Sequence, residues 1–290
     1  MPAEQIALNL AYINWTVLTG LAVGSLWAAA LGRLTTQATK GYLGFVALSA
    51  AILAVLAALS DGALSGGSAA GGASGTAAGA IAGSLQPDAT WELARRVALW
   101  GVAVLALVYA VAVLRGRRAP VLAMAATALG GGVLLAGALS WGGSLLGSAL
   151  LLVQLAALAA ATGGVWAAMI LGHWYLVTPH LPEAPLVRFA RILMGVVGGQ
   201  LVLFAIWTAT GAGPAGIPAF GALVGSWALF VWLRLIVGLA MPLVVSWAAV
   251  QTARTRSMES ATGLLYIDVG LIAAGTILAA GLYFGAGLLV

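Results

Sequence analysis

The two histidines of this sequence, His173 and His180, lie close together at the end of a long apolar run. Trp174, Tyr175 and Thr178 lie between them, so imidazoles, aromatic rings and a hydroxyl group occur in one short stretch. An imidazole can ligate haem iron, or it can donate a hydrogen bond to a quinone carbonyl and relay its proton. Because 63% of the residues are hydrophobic and only 7% are charged, few other side chains offer such chemistry.

A haem held by both histidines is disfavoured by their spacing. Pro179 follows Thr178, and a proline disfavours a helical conformation at the preceding residue. Two ligands on so short a broken segment would lie on one side of the ring, so haem b remains only as the less favoured cofactor. A quinone needs a donor at each carbonyl, aromatic walls and access from lipid. The predicted quinone-binding residues of this stretch are Trp174, Tyr175, Thr178 and His180, with His173 as the catalytic proton donor.

A helix over residues 146–176 is predicted to position this stretch. At 100° per residue, Thr162, Trp166, Met169 and His173 fall within an arc of about 60° on its surface. Trp166 is therefore predicted to be a further cofactor-binding residue beside His173. The alternative is an ordinary interhelical face with a hydrogen-bonded histidine, and the sequence leaves both interpretations open.

The composition predicts an all-α integral membrane protein. About a quarter of the residues in soluble domains are charged, whereas only 7% of the residues in this chain are. Backbone groups in lipid must be satisfied internally, and continuous apolar runs of this length exclude the alternating pattern of barrel strands. The net charge of +5 does not indicate a nucleic-acid partner, because the basic residues are scattered in short loops. The absence of cysteine excludes disulfides and thiolate-held iron–sulfur clusters within this chain.

Eight membrane spans are predicted, and the positive charges support that number. The spans cover residues 8–32, 41–60, 96–114, 120–140, 146–176, 186–210, 220–251 and 262–289. Nine of the 12 basic residues then fall at one side of the membrane, which by the positive-inside rule is the cytoplasmic side. This pattern predicts a bundle in a bacterial-type cytoplasmic (inner) membrane, with both termini on the outer side.

The chain is predicted to form one transmembrane domain over residues 1–290. Its one long connection, residues 61–91, is rich in glycine, alanine and serine. Such a composition favours a flexible extramembrane loop over a packed domain.

Two charged residues lie within the predicted spans. An unpaired charge in lipid is costly and usually marks an ion pair or a polar pathway. Asp268 is predicted to be a catalytic proton-transfer residue, with a structural hydrogen-bond acceptor as the alternative. Arg234 is assigned to the cofactor-binding residues, where it would neutralise a partner or bind a polar head group. Pro242 is expected to kink the seventh span and to free a backbone carbonyl.

This layout of about eight helices, no soluble domain and few polar residues near one interface resembles the NrfD and DmsC type of quinone-reactive membrane anchors in respiratory oxidoreductases. The resemblance covers the whole chain and is one of architecture. It implies a membrane subunit that exchanges electrons with quinone beside an iron–sulfur or cytochrome subunit, in contact with membrane lipid. Such a chain would be part of a multi-subunit oxidoreductase. The alternatives are a transporter or channel, and a structural scaffold subunit of a larger complex that contains haem or pigment.

Overall fold

The computed structural model of the chain describes residues 1–35, 39–70, 89–178 and 181–290. Within these ranges the secondary structure is helical and contains no strand. The α-helices are α1 (Pro2–Leu8), α2 (Leu10–Thr35), α3 (Lys40–Ala70), α4 (Ala89–Leu114), α5 (Pro120–Trp141), α6 (Leu145–Val177), α7 (Ala184–Thr210), α8 (Ala228–Leu235), α9 (Met241–Arg254) and α10 (Met258–Ala286). A 3₁₀ turn covers Gly221–Leu223, and a π-helix over Ile236–Ala240 joins α8 to α9.

Eight of the described helical stretches are long and apolar enough to cross a membrane. They are α2 to α7, the continuous stretch Ala228–Arg254 that contains α8, the π-helix and α9, and finally α10. The prediction of an all-helical bundle with eight candidate spans is therefore confirmed. The side of the membrane on which the termini lie stays a prediction.

The predicted boundaries differ from the observed ones by more than five residues in two regions. The seventh span begins at Ala228 instead of residue 220, because a 3₁₀ turn and Gly225, whose φ is +97°, interrupt the helix before it. The helix α3 continues to Ala70 and α4 begins at Ala89, so both ends of the predicted loop 61–91 are helical. Residues 71–88 of that loop lie outside the described residues.

The helices α2, α6 and α10 pack against one another at the centre of the bundle. Glycines allow α2 and α6 to approach closely. A Cβ atom on Gly24 would lie 1.8 Å from the Ala159 carbonyl oxygen, and one on Gly163 would lie 2.2 Å from the Gly24 carbonyl carbon. In lipid, where helix association depends on packing, such small residues let backbones approach each other. This contact fixes the position of α6, the helix that carries His173.

A buried ion-pair network joins α3 to α4. The Arg95 Nε donates to Asp61 Oδ1 at 2.5 Å, and both side chains are almost fully buried. The Arg96 Nε reaches the other carboxylate oxygen at 3.4 Å. The Arg95 guanidinium also lies 4.4 Å from the ring centre of Trp141 and 5.7 Å from that of Trp15. Asp61, which the sequence placed at the start of a loop, is thus a core residue of the bundle.

Candidate functional site

A cavity of about 340 Å³ opens on the outer surface of the bundle beside His173. It is lined by Phe45 of α3, by Trp166, Met169, Ile170, His173 and Trp174 of α6, and by Tyr266 of α10. The part contributed by α6 extends over nine residues, from Trp166 to Trp174, which is about 12 Å at 1.5 Å of rise per residue. We call this cavity, with these seven residues, the His173 cavity. The structure therefore brings together three of the predicted site residues: Trp166, His173 and Trp174.

Contacts between α3 and α6 hold the walls of the His173 cavity in place. The indole Nε1 of Trp166 donates to the Ser49 hydroxyl at 3.3 Å. The Tyr42 hydroxyl donates to the Ala167 carbonyl oxygen at 3.2 Å. The ring of Trp174 lies against Gly41, where a Cβ atom would come within 2.5 Å of the indole. A glycine at this position therefore lets the indole pack directly on the start of α3.

The His173 cavity has the character of a site that opens to lipid. The side chains of Phe45 and Tyr266 are each 50% exposed, and His173 is exposed as well. These residues lie on the outer surface of a bundle whose surroundings in a membrane are acyl chains and head groups. None of the described lysine, arginine, aspartate or glutamate residues lines the cavity. Such a volume, bounded by aromatic rings and a few polar groups, suits a neutral flat ring.

Two predicted site residues at the end of α6 lie outside the His173 cavity. Tyr175 is buried, and its hydroxyl donates to the Pro182 carbonyl oxygen at 2.5 Å. Thr178 ends α6, and its backbone N–H donates to the Trp174 carbonyl oxygen at 3.0 Å. Tyr175 thus contacts the segment that leads into α7, and Thr178 closes the last turn of α6. The predicted residue His180 lies outside the described residues.

Asp268 is fully buried and does not line the His173 cavity. One of its carboxylate oxygens accepts a hydrogen bond of 2.5 Å from the Ser246 hydroxyl of α9. The other oxygen is buried without a hydrogen-bond partner among the described residues. The carboxyl group therefore lies between α9 and α10, while Tyr266, two residues earlier on α10, lines the cavity.

Arg234 lies in a separate buried cluster. Its Nη2 donates to the Gln200 side-chain oxygen at 2.7 Å, and its Nη1 donates to the Gly238 carbonyl oxygen at 3.2 Å. Pro242 lies four residues after Gly238 and has no N–H to donate to that carbonyl. The sequence predicts that Pro242 leaves one backbone carbonyl without its helical N–H partner. The Gly238 carbonyl is that group, and it accepts a hydrogen bond from the Arg234 guanidinium. Arg234 and Asp268 have different hydrogen-bond partners, and Arg234 does not line the His173 cavity.

Sequence reasoning missed Phe45 and Tyr266, which form the two side walls of the His173 cavity. Each lies within eight residues of the basic-side end of its helix, at Lys40 and Met258 respectively. Aromatic residues at this depth are common in membrane proteins as interfacial anchors. The position of Phe45 and Tyr266 near the membrane interface was the one sequence signal that could have identified them. That position does not show which of the eight membrane-spanning helices lie next to α6.

Comparison with family models, with curated proteins and with solved structures finds no match to this chain. Inference about function therefore depends on the chemistry and geometry of the chain itself.

Proposed function

We propose that this protein is the quinone-binding membrane subunit of an electron-transfer complex, and that the quinone ring occupies the His173 cavity. The observation that carries the proposal is the placement of an imidazole in a cavity of about 340 Å³ beside four aromatic residues: Phe45, Trp166, Trp174 and Tyr266. The cavity faces the lipid phase, in which a quinone with an isoprenoid tail is dissolved. The ring would enter between α3 and α10 while the tail stays among the acyl chains.

The residues of the cavity suit both binding and proton exchange. The imidazole of His173 can donate a hydrogen bond to one quinone carbonyl oxygen, and the phenol of Tyr266 offers a second donor. Reduction of a quinone to a quinol takes up two electrons and two protons. A histidine at the carbonyl can deliver a proton as the oxygen gains electron density, and the aromatic rings hold the quinone plane.

The electrons are proposed to come from a partner subunit that carries iron–sulfur or cytochrome centres. The chain has no cysteine, so it offers no thiolate ligand to a cluster. The architecture resembles that of the NrfD and DmsC type of membrane anchor, in which quinone chemistry and electron supply are divided between subunits. We place the complex in a bacterial cytoplasmic membrane, with the His173 cavity near the cytoplasmic side.

The alternative of a transporter is supported less well by the geometry. Its best evidence is the buried polar cluster around Arg234, where the cavity volume is about 10 Å³. That volume holds about one water-sized occupant. The His173 cavity, by contrast, has room for a ring.

Photoaffinity labelling tests the proposal directly. The protein, purified from membranes with its associated subunits, is illuminated with an azido-substituted short-chain quinone, and the labelled peptides are identified by mass spectrometry. We expect saturable labelling of α3, α6 or α10 around the His173 cavity, and excess unlabelled quinone should suppress it. Non-saturable labelling, or saturable labelling confined to other helices, would show that the cavity is not the quinone site. Redox subunits should co-purify with the chain.

The Asp268→Asn variant tests the proposed proton-transfer role of this residue. An amide keeps an oxygen for the Ser246 hydroxyl but cannot release a proton as a carboxyl group does. We expect quinone-linked turnover to fall by at least about tenfold, at the low end of the usual contribution of proton transfer. The control is Ser246→Ala, which keeps the carboxyl group and should reduce turnover less. If Asp268→Asn turns over at the wild-type rate at every pH measured, Asp268 has only a structural role.

A further inference from the structure

Arg234 is a buried cation without a carboxylate partner in the part of the chain that the structure describes. Arg234 is only 3% exposed. Among the described residues, it forms no ion pair within 4.0 Å. Two of its nitrogens have neutral partners, Gln200 and Gly238, and its Nε is buried with no hydrogen-bond partner among the described residues. An uncompensated cation is costly in a low-dielectric interior, so a negative charge is expected beside it.

Gln154 of α6 provides a second unsatisfied group at the same place. It is 3% exposed, and neither its amide nitrogen nor its amide oxygen has a hydrogen-bond partner among the described residues. Buried polar groups almost always have a partner, whether protein, water or ligand. Gln154, Gln200 and Arg234 line one cavity between α6, α7 and α8, which we call the Arg234 cavity.

The size of the Arg234 cavity restricts what it can hold. Its volume is about 10 Å³, which is enough for one small occupant, such as a water molecule or a monatomic ion. A phosphate head group or a quinone ring is too large. The free N–H of Arg234 and the amide N–H₂ of Gln154 are donors, and the guanidinium carries a positive charge. A water molecule could accept from these donors, but it would leave the buried positive charge uncompensated, so the charge favours an anion.

We propose that the Arg234 cavity binds a chloride-sized monatomic anion as the counter-ion of Arg234. The Arg234 Nε and the Gln154 Nε2 donate to the anion, while Gln200 orients the guanidinium by accepting from Nη2 and donating to the Ala157 carbonyl oxygen at 2.8 Å. The rest of the lining is apolar, and this surface strengthens the attraction by excluding bulk water. It consists of Ala157, Leu158, Leu203, Trp207 and Val290. The Arg234 cavity shares no lining residue with the His173 cavity, so either proposal can fail without the other.

Thermal unfolding in different sodium salts tests the site. The full-length protein is placed in nanodiscs of zwitterionic lipid, at equal ionic strength, in chloride, bromide or gluconate, the last being too large for the cavity. An anion that binds only the folded state at ten times its Kd should raise the Tm by roughly 3–5 °C. We therefore expect a higher Tm in chloride and bromide than in gluconate, and an anomalous bromide peak beside Arg234 in crystals.

The Gln154→Leu variant should lose most of the chloride-dependent shift in Tm, because it removes one of the two donors at similar side-chain volume. The matched control is Gln251→Leu, an exposed glutamine near the end of α9, which should keep the full shift. Equal Tm of the wild-type protein in chloride and gluconate, or the absence of a bromide peak, would overturn the proposal.

Discussion

Replacing His173 by leucine is expected to lower quinone-linked turnover by about 100-fold or more, because a positioned proton donor contributes about 10²–10⁴-fold to such a step. The affinity for quinone should fall less, by about two- to tenfold, since one hydrogen bond contributes about 0.5–1.5 kcal/mol. His173 is exposed on the surface of the bundle, so the fold and the assembly with partner subunits should be retained. The measurement is kcat and KM of the purified complex with a short-chain quinone.

The control for this variant is Gln251→Leu. It makes the same change from a polar to an apolar side chain, at an exposed position near the basic-side end of α9 and away from the His173 cavity. We expect its kcat and KM to equal those of the wild-type complex. If His173→Leu also keeps the wild-type turnover, His173 does not donate a proton to quinone, and the proposed site is wrong. A rise in KM with an unchanged kcat would restrict His173 to binding.

Replacing Arg95 by methionine is expected to cost about 3–5 kcal/mol of stability, the usual effect of removing one partner of a buried ion pair. The carboxylate of Asp61 is completely buried and, of its ion pairs within the described part of the chain, would keep the more distant one with Arg96, at 3.4 Å. The stacking of the guanidinium on Trp141 would be lost as well. We expect the Tm in nanodiscs to fall by roughly 10 °C, given about 2–4 °C per kcal/mol for chains of this size.

The control for Arg95→Met is Arg256→Met, which removes an exposed ion pair with Glu183. Exposed pairs contribute about 0–1 kcal/mol, so the Tm should change little. The double variant Arg95→Met, Asp61→Leu removes both buried charges and should recover part of the lost stability. If Arg95→Met shifts the Tm no more than Arg256→Met does, the network between α3 and α4 does not stabilise the bundle.

Part of the candidate site followed from the periodicity of one helix. Trp166, Met169 and His173 were predicted to share a face of α6, and all three line the His173 cavity. Thr162, one turn before Trp166, was predicted with them but is buried, and its hydroxyl donates to the Leu158 carbonyl oxygen. At the level of Thr162 the helix α2 covers this side of α6, as the contact of Thr162 with Gly20 shows. Helical periodicity gives the direction of a side chain but not the neighbour it meets.

The sequence by itself determined the class of the protein and the number of its long apolar helices. Both follow from local physics, because a backbone in lipid must satisfy its own hydrogen bonds and each apolar run of about 20 residues therefore forms a helix. The partners of the buried polar residues were decided only by the tertiary structure: Asp61 with Arg95, Gln200 with Arg234, and Ser246 with Asp268. These pairs join residues on different helices, so they depend on which helices are neighbours, and the position of Arg234 depends also on the π-helix before Pro242. Packing between helices sets those features, and no local pattern in the sequence encodes them.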